Sequence, residues 1–102
     1  MFMSAVSDAT QKKISGNDVM VFSKSYCPFC DRAKAALEGK GIAFQVEELD
    51  KLGAEGAEIQ AALAEMTGQR TVPNVFVKGK HLGGCDDVLA SLGSGKFQEL
   101  LK

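Results

Sequence analysis

The sequence predicts an α/β fold in which a four-stranded mixed sheet is flanked by helices on both faces, the thin layered architecture that buries a sheet completely. Three observations carry this. The short run Val19-Met20-Val21-Phe22 is apolar at every position, as in a strand covered on both sides. Ile59, Ala62, Leu63 and Met66 recur at helical spacing and mark an amphipathic helix. The elements follow one another as α-β-α-β-α-β-β-α-α. A strand–helix–strand unit followed by a helix, a hairpin and closing helices requires both parallel and antiparallel pairing.

In order along the chain, a weak helical pattern covers roughly Ser4 to Ile14 and stops at the turn cluster Gly16-Asn17-Asp18. Val19 to Phe22 is the first strand. Pro28 to Glu38 reads as a helix, with Pro28 suited to its first turn and Cys30, Ala33 and Leu37 on one stripe. Gly39 and Gly41 stop it. Ala43-Phe44-Gln45-Val46-Glu47 alternates and forms the second strand. The amphipathic helix through Ile59 ends at Thr67-Gly68. Asn74-Val75-Phe76-Val77 is the third strand, and Lys78-Gly79-Lys80 turns into a fourth around His81-Leu82. Gly83-Gly84 leads into a helix with Val88, Leu89 and Leu92. A last short helix places Phe97, Leu100 and Leu101 on one face.

The 102 residues are expected to form a single domain, residues 1–102, with one core. The hydrophobic share of 45% and charged share of 25% are ordinary for a soluble protein. A net charge of −1 and a pI near 5.8 offer nothing that asks for nucleic acid or an anionic membrane as partner. No apolar run approaches the ~20 residues that span a bilayer. The start, Met1 to Asp8, lacks the basic and long apolar regions of a secretory signal. Three cysteines, an odd count, argue against a closed disulfide framework and for a reducing compartment with a catalytic thiol pair. The expected location is the cytoplasm, or an organelle after removal of a transit peptide.

Cys27-Pro28-Phe29-Cys30 places two thiols where a strand gives way to a helix. A thiol there lies near unpaired backbone N–H groups and the positive end of the helix dipole, which both favour the reactive thiolate. Cys30 follows nearly one turn later, so its sulfur reaches back to Cys27. The pair reads as a dithiol that opens and closes, Cys27 as nucleophile and Cys30 as the less exposed, less acidic resolving thiol. Zinc sites share the C-x-x-C spacing, so this motif alone is a weak signal.

Together with Thr71-Val72-Pro73 and Gly83-Gly84-Cys85-Asp86-Asp87, in this order and spacing, the motif resembles a dithiol (class I, CPFC-type) glutaredoxin of the thioredoxin-fold superfamily. The resemblance runs from about Val19 to the C-terminus. Phe29 stands where the family often has Tyr. Tyr26 precedes the first Cys, where thioredoxins carry Trp. The resemblance implies a glutathione-dependent thiol–disulfide oxidoreductase, a thioltransferase or deglutathionylase. It would reduce protein–glutathione mixed disulfides and small disulfides, with glutathione as reductant and co-substrate. It also implies a Cys27–Cys30 redox-active disulfide, glutathionylated or disulfide-bonded proteins as partners, and a monomer.

The same resemblance implies a glutathione site. Val72-Pro73 is expected to be a cis bond whose Val72 backbone groups pair with an extended peptide. The N–H groups of Cys85 and Asp86 would bind one carboxylate of the ligand, and the Asp86 carboxylate, with Asp87, its ammonium. Asp86 reads equally as the helix N-cap, and Gly84 as the residue that lets a ligand approach. Lys24, Gln60 and Arg70 are candidates for the opposite carboxylate, and each also reads as an ordinary surface residue. Thr71 bonds the ligand or sets the turn; Tyr26 forms an apolar wall beside the sulfur or is merely half-buried. His81 reads as a surface strand residue. Two other chemistries remain open. One is a [2Fe–2S] carrier, against which rigid Pro28 argues. The other is a zinc site from Cys27, Cys30, His81 and Cys85. The expectation is no metal.

Overall fold

A computed structural model describes residues 5–102. The expected helix start at Ser4 and the first four residues of the Met1 to Asp8 stretch lie outside that range. Ten elements follow: α1 (Ala5–Ser15), β1 (Val19–Ser23), α2 (Pro28–Gly39), β2 (Gln45–Glu48), a 3₁₀ turn (Leu49–Leu52), α3 (Ala54–Thr67), β3 (Asn74–Val77), β4 (Lys80–Gly83), α4 (Cys85–Ser94) and α5 (Lys96–Leu100). The predicted order of helices and strands holds, with the 3₁₀ turn as an unpredicted insertion.

The sheet is mixed, with spatial order β2-β1-β3-β4. β1 runs parallel to β2 and antiparallel to β3, and β3 is antiparallel to β4. Every residue of β1 and β3 is buried, because strand alternation sends successive side chains to two different cores. Val19, Val21, Val75 and Val77 meet Ala33 and Leu37 of α2, Val88 and Leu92 of α4 and Phe97 of α5. Met20, Phe22 and Phe76 meet Ile14 of α1, Ile59 and Leu63 of α3 and Leu49 of the 3₁₀ turn. Phe22 and Phe76 pack edge to face across the β1/β3 pair, with centroids 5.9 Å apart. The thin alternating strands therefore serve both layers at once, each fully buried aliphatic or aromatic side chain contributing on the order of 1.5–3 kcal/mol.

Three expectations are adjusted. β2 begins at Gln45 rather than Ala43 and reaches Glu48; Phe44 just ahead of it still packs on the α2-side core. Met66 and Leu89, counted on apolar helix faces, are 38% and 37% exposed. The cluster that covers α3 ends at Leu63, one turn short of Met66. Asp86 is not the cap of α4: the cap position is Gly84, and the carboxylate that accepts its N–H, at 3.0 Å, belongs to Asp87. Asp87 stands at the third helical position, where a side chain bends back to the cap, whereas Asp86 at the second does not.

One close approach explains how α3 docks. A Cβ on Gly56 would lie 1.9 Å from the Leu49 carbonyl oxygen. The backbone of α3 is thus in direct contact with the 3₁₀ turn, with no room for a side chain. The turn in turn offers Asp50, whose carboxylate accepts the N–H of Ser25 at 2.9 Å and also its hydroxyl. That clasp holds the segment between β1 and α2, and it keeps the Asp50 carboxyl below its usual range.

Candidate functional site

The dithiol forms exactly at the strand-to-helix junction. Cys27 has an extended backbone (φ −96°, ψ 112°) and is the N-cap of α2, and Pro28 occupies the first turn, where a missing N–H costs nothing. Its sulfur accepts the N–H of Cys30 at 3.2 Å. A cap sulfur receiving a first-turn amide is in the position where negative charge is stabilised by the helix end. Across the junction the Cys27 thiol faces the Val72 carbonyl oxygen at 3.8 Å. Cys27 is partly exposed, Cys30 is fully buried, and both are reduced. Burial, reinforced by the neighbouring Cys27 sulfur, raises the Cys30 thiol to about 11. The expected asymmetry of an accessible first thiol and a hidden, weakly acidic second is thus present.

Beside the dithiol runs a groove of ≈ 490 Å³. One wall is the Thr71-Val72-Pro73 turn, in which the Val72–Pro73 bond is cis. The other is Gly84, Cys85, Asp86 and Asp87 at the start of α4, and Phe29 of α2 also lines it. The first-turn N–H groups of Cys85 and Asp86 have no partner within the helix. Asp86 is exposed, while Asp87 is engaged at the helix cap. Gly84 is half-buried, and a Cβ there would meet the Pro73 carbonyl at an ordinary 3.6 Å. The glycine that the backbone demands is its neighbour Gly83, with φ +133° and a Cβ direction that runs into the Asp87 carboxylate. Burial raises the Cys85 thiol.

The remaining candidates lie outside that groove. Lys24, Tyr26 and Gln60 line a small cleft of ≈ 140 Å³, and Gln60 also borders a second, of ≈ 240 Å³, with Arg70. The Gln60 side-chain amide donates to the Arg70 carbonyl at 2.8 Å, so it braces the turn into Thr71. Tyr26 and Phe29 are 70% and 56% exposed and flank Cys27 in sequence with apolar surface. The Arg32 guanidinium stands 5.5 Å from the Phe29 ring centre. The four residues of the zinc alternative are not gathered: among the described residues no group of three or more His, Cys, Asp or Glu side chains is placed to hold a metal ion. His81 is an exposed strand residue whose ring packs on Phe76.

Gln69 was not anticipated. Its side-chain amide donates to the carbonyls of Thr71 (3.0 Å) and Pro73 (2.9 Å), tying both ends of the turn that faces the dithiol. Its position one residue before Arg70, in a polar Thr-Gly-Gln-Arg-Thr stretch, gave no periodic signal. Gln69→Ala is expected to lower stability by about 1 kcal/mol, the usual worth of such bonds. It should also loosen the groove wall, which hydrogen exchange would show as lost protection at the Thr71 and Val72 amides.

A model of the glutaredoxin family matches residues 19–82, more than half the chain. The chain belongs to the glutaredoxin family. Glutaredoxin-C6 of Oryza sativa subsp. japonica is 54% identical over 91 residues, covering 89% of this chain and 80% of that protein. Among solved structures, the holo form of glutaredoxin C1 from Populus tremula x tremuloides superposes with a TM-score of 0.91 at 42% identity, covering 96% of each chain. A buckwheat glutaredoxin–glutathione complex superposes with a TM-score of 0.89 at 45% identity, over 94% of this glutaredoxin and 86% of that chain. The four-stranded mixed sheet with flanking helices is accordingly the thioredoxin-like fold of these glutaredoxins. Among the described residues no helix is long and apolar enough to cross a membrane.

Proposed function

We propose that this glutaredoxin is a dithiol, glutathione-dependent thiol–disulfide oxidoreductase that deglutathionylates proteins and reduces small disulfides through Cys27. The observation that carries this reading is the cap geometry: a partly exposed sulfur accepting the Cys30 N–H at 3.2 Å and opening beside a groove of peptide-binding size. Membership in the family supports the oxidoreductase chemistry, and the glutathione complex of the buckwheat relative supports glutathione as the co-substrate.

In this reading the ligand lies along the groove as an extended peptide. Its cysteinyl backbone pairs with Val72 beside Pro73, with Thr71 alongside. The N–H groups of Cys85 and Asp86 take its γ-glutamyl carboxylate, and the Asp86 carboxylate takes the ammonium; Gly84 leaves room for the chain. Asp87 acts by holding the helix start. Lys24, Gln60 and Arg70 serve the glycine carboxylate, and Tyr26 walls the sulfur.

The Cys27 thiolate attacks the glutathionyl sulfur of a mixed disulfide. The target sulfur leaves with the bonding electron pair and takes up a proton from solvent, and Cys27 carries glutathione. A second glutathione thiolate attacks that disulfide, releasing oxidised glutathione and the Cys27 thiolate. With a protein disulfide, Cys30 attacks Cys27 instead and closes Cys27–Cys30. We place the protein in a reducing compartment, the cytosol, as a single-domain monomer that needs no metal. The test is reduction of a glutathionylated small disulfide by the purified protein, coupled to glutathione reductase. Turnover that depends on glutathione supports the reading; no turnover overturns it.

A further inference from the structure

The polar groups around Cys30 are better organised than a mere resolving thiol requires. Cys30 is fully buried and shares the buried stripe of α2 with Ala33 and Leu37, which pack on the sheet. From the end of β1 comes the buried Ser23, and it and the Lys24 backbone that follows lower the Cys30 thiol against the effect of burial. From α2 come Cys27 and, one turn beyond Cys30, Lys34. From β2 comes Glu48, the register partner of Ser23 and so on the same face. The Lys34 ammonium stands 2.9 Å from Glu48 Oε2 and 3.6 Å from Asp31 Oδ1. The Lys34 and Glu48 side chains are only 19% and 22% exposed, while Asp31 is largely in solvent. From α4, Cys85, with Asp86 beside it, stands in the field of Cys27 and Arg32.

Half-burying an ion pair gains little stability, since desolvation offsets the attraction. Here the arrangement also leaves Glu48 Oε1 buried with no hydrogen-bond partner among the described residues. Such a pair is poorly explained as a stabilising device. It lies, however, beside Cys30, because Lys34 follows Cys30 by four residues on α2 and the two side chains are neighbours on the helix surface.

We propose that Lys34, anchored by Glu48, is a positioning residue for the dithiol branch: its charge stabilises the negative charge that develops on the Cys30 sulfur as it closes on Cys27. In that step the Cys30–Cys27 sulfur–sulfur bond forms and the bond from Cys27 to the departing thiol breaks. The electron pair leaves on the departing sulfur, which takes up one proton as Cys30 gives one up. The mixed disulfide is the oxidant and Cys30 is oxidised. The Ser23 hydroxyl, 3.4 Å from the Lys24 carbonyl in the reduced state, is free to turn its hydrogen to the sulfur as charge builds. This inference rests on Cys30 being the resolving thiol.

The test is the rate at which Cys27-bound glutathione is expelled by Cys30, followed in the full chain by quenching and mass spectrometry. Lys34→Met removes the positive charge and should slow closure about threefold per pKa unit gained by Cys30, since lower thiolate population is partly offset by greater nucleophilicity. Glu48→Gln keeps a side-chain oxygen that accepts from the Lys34 ammonium and so holds it, but no longer neutralises it, and should speed closure. Lys34→Arg, which keeps the charge, should stay near wild type. The Cys30 Cβ resonance in a Cys27→Ser background should titrate at higher pH in Lys34→Met than in Lys34→Arg. Opposite signs for the Lys34→Met and Glu48→Gln effects support the proposal. Equal signs, as from simple loss of packing, or no effect, overturn it. If Cys30→Ser reduces protein disulfides as fast as wild type, the resolving-thiol reading itself fails, independently of Lys34.

Discussion

Cys27→Ser is expected to abolish reduction of both glutathionylated and disulfide substrates, a loss of at least about a thousandfold, because a serine hydroxyl is not ionised at neutral pH and forms no disulfide. Cys30→Ser should behave differently with the two substrates. Deglutathionylation uses only Cys27 and free glutathione, so it should stay within about a factor of three of wild type, since the cap bond to Cys27 comes from the backbone N–H of residue 30 and survives the change. Reduction of a protein disulfide should stall at the mixed disulfide. The burial of Cys30, with its thiol raised to about 11, fits this division. At neutral pH Cys30 is held as the thiol, so it competes poorly for external substrates and acts when Cys27 presents a disulfide beside it. Steady-state rates on both substrates for the two variants check this. Activity retained in Cys27→Ser would sink the assignment of the nucleophile.

The second large effect is on stability and lies far from the sulfur. Gly56→Ala should destabilise the protein by about 3 kcal/mol, the upper part of the range for overpacking. Alanine is the better helix former by about 1 kcal/mol. That gain is outweighed because the new methyl would overlap a backbone carbonyl, 1.9 Å away, rather than a side chain that can swing aside. The expected fall in Tm is about 15 °C for a chain of this size. Relief requires α3 to move off the 3₁₀ turn, and with it Asp50, which clasps Ser25 two residues before Cys27. Thermal unfolding followed by circular dichroism measures the first effect. A midpoint at or above that of wild type would show that the turn yields more easily than its backbone contact implies.

The sheet and helices were legible in the sequence because apolar spacing reports burial directly. Val19 to Phe22 had no polar face to show, and α2, α3 and α4 repeated at helical period. The 3₁₀ turn was not legible: Leu49-Asp50-Lys51-Leu52 is too short for any period, and Leu49 is buried by its contact with α3 rather than by a stripe of its own. At the start of α4 the sequence offered Asp86 as the cap, and only backbone geometry shows that the capping carboxylate is that of its neighbour Asp87, at the third helical position. The dithiol and the two walls of the groove could be placed because a local motif carries each. Gln69 and the Lys34–Glu48 pair could not, since their partners lie across turns and strands that only folding brings together.

The burial of two of the three cysteines has a practical consequence. Cys30 and Cys85 are 0% and 6% exposed, whereas Cys27 opens to solvent. To a thiol-labelling reagent the folded, reduced molecule presents one stoichiometric equivalent, and the unfolded chain three. The number of labels taken up thus reports the conformational state of each molecule, and a population caught between native and unfolded resolves by mass into separately countable species.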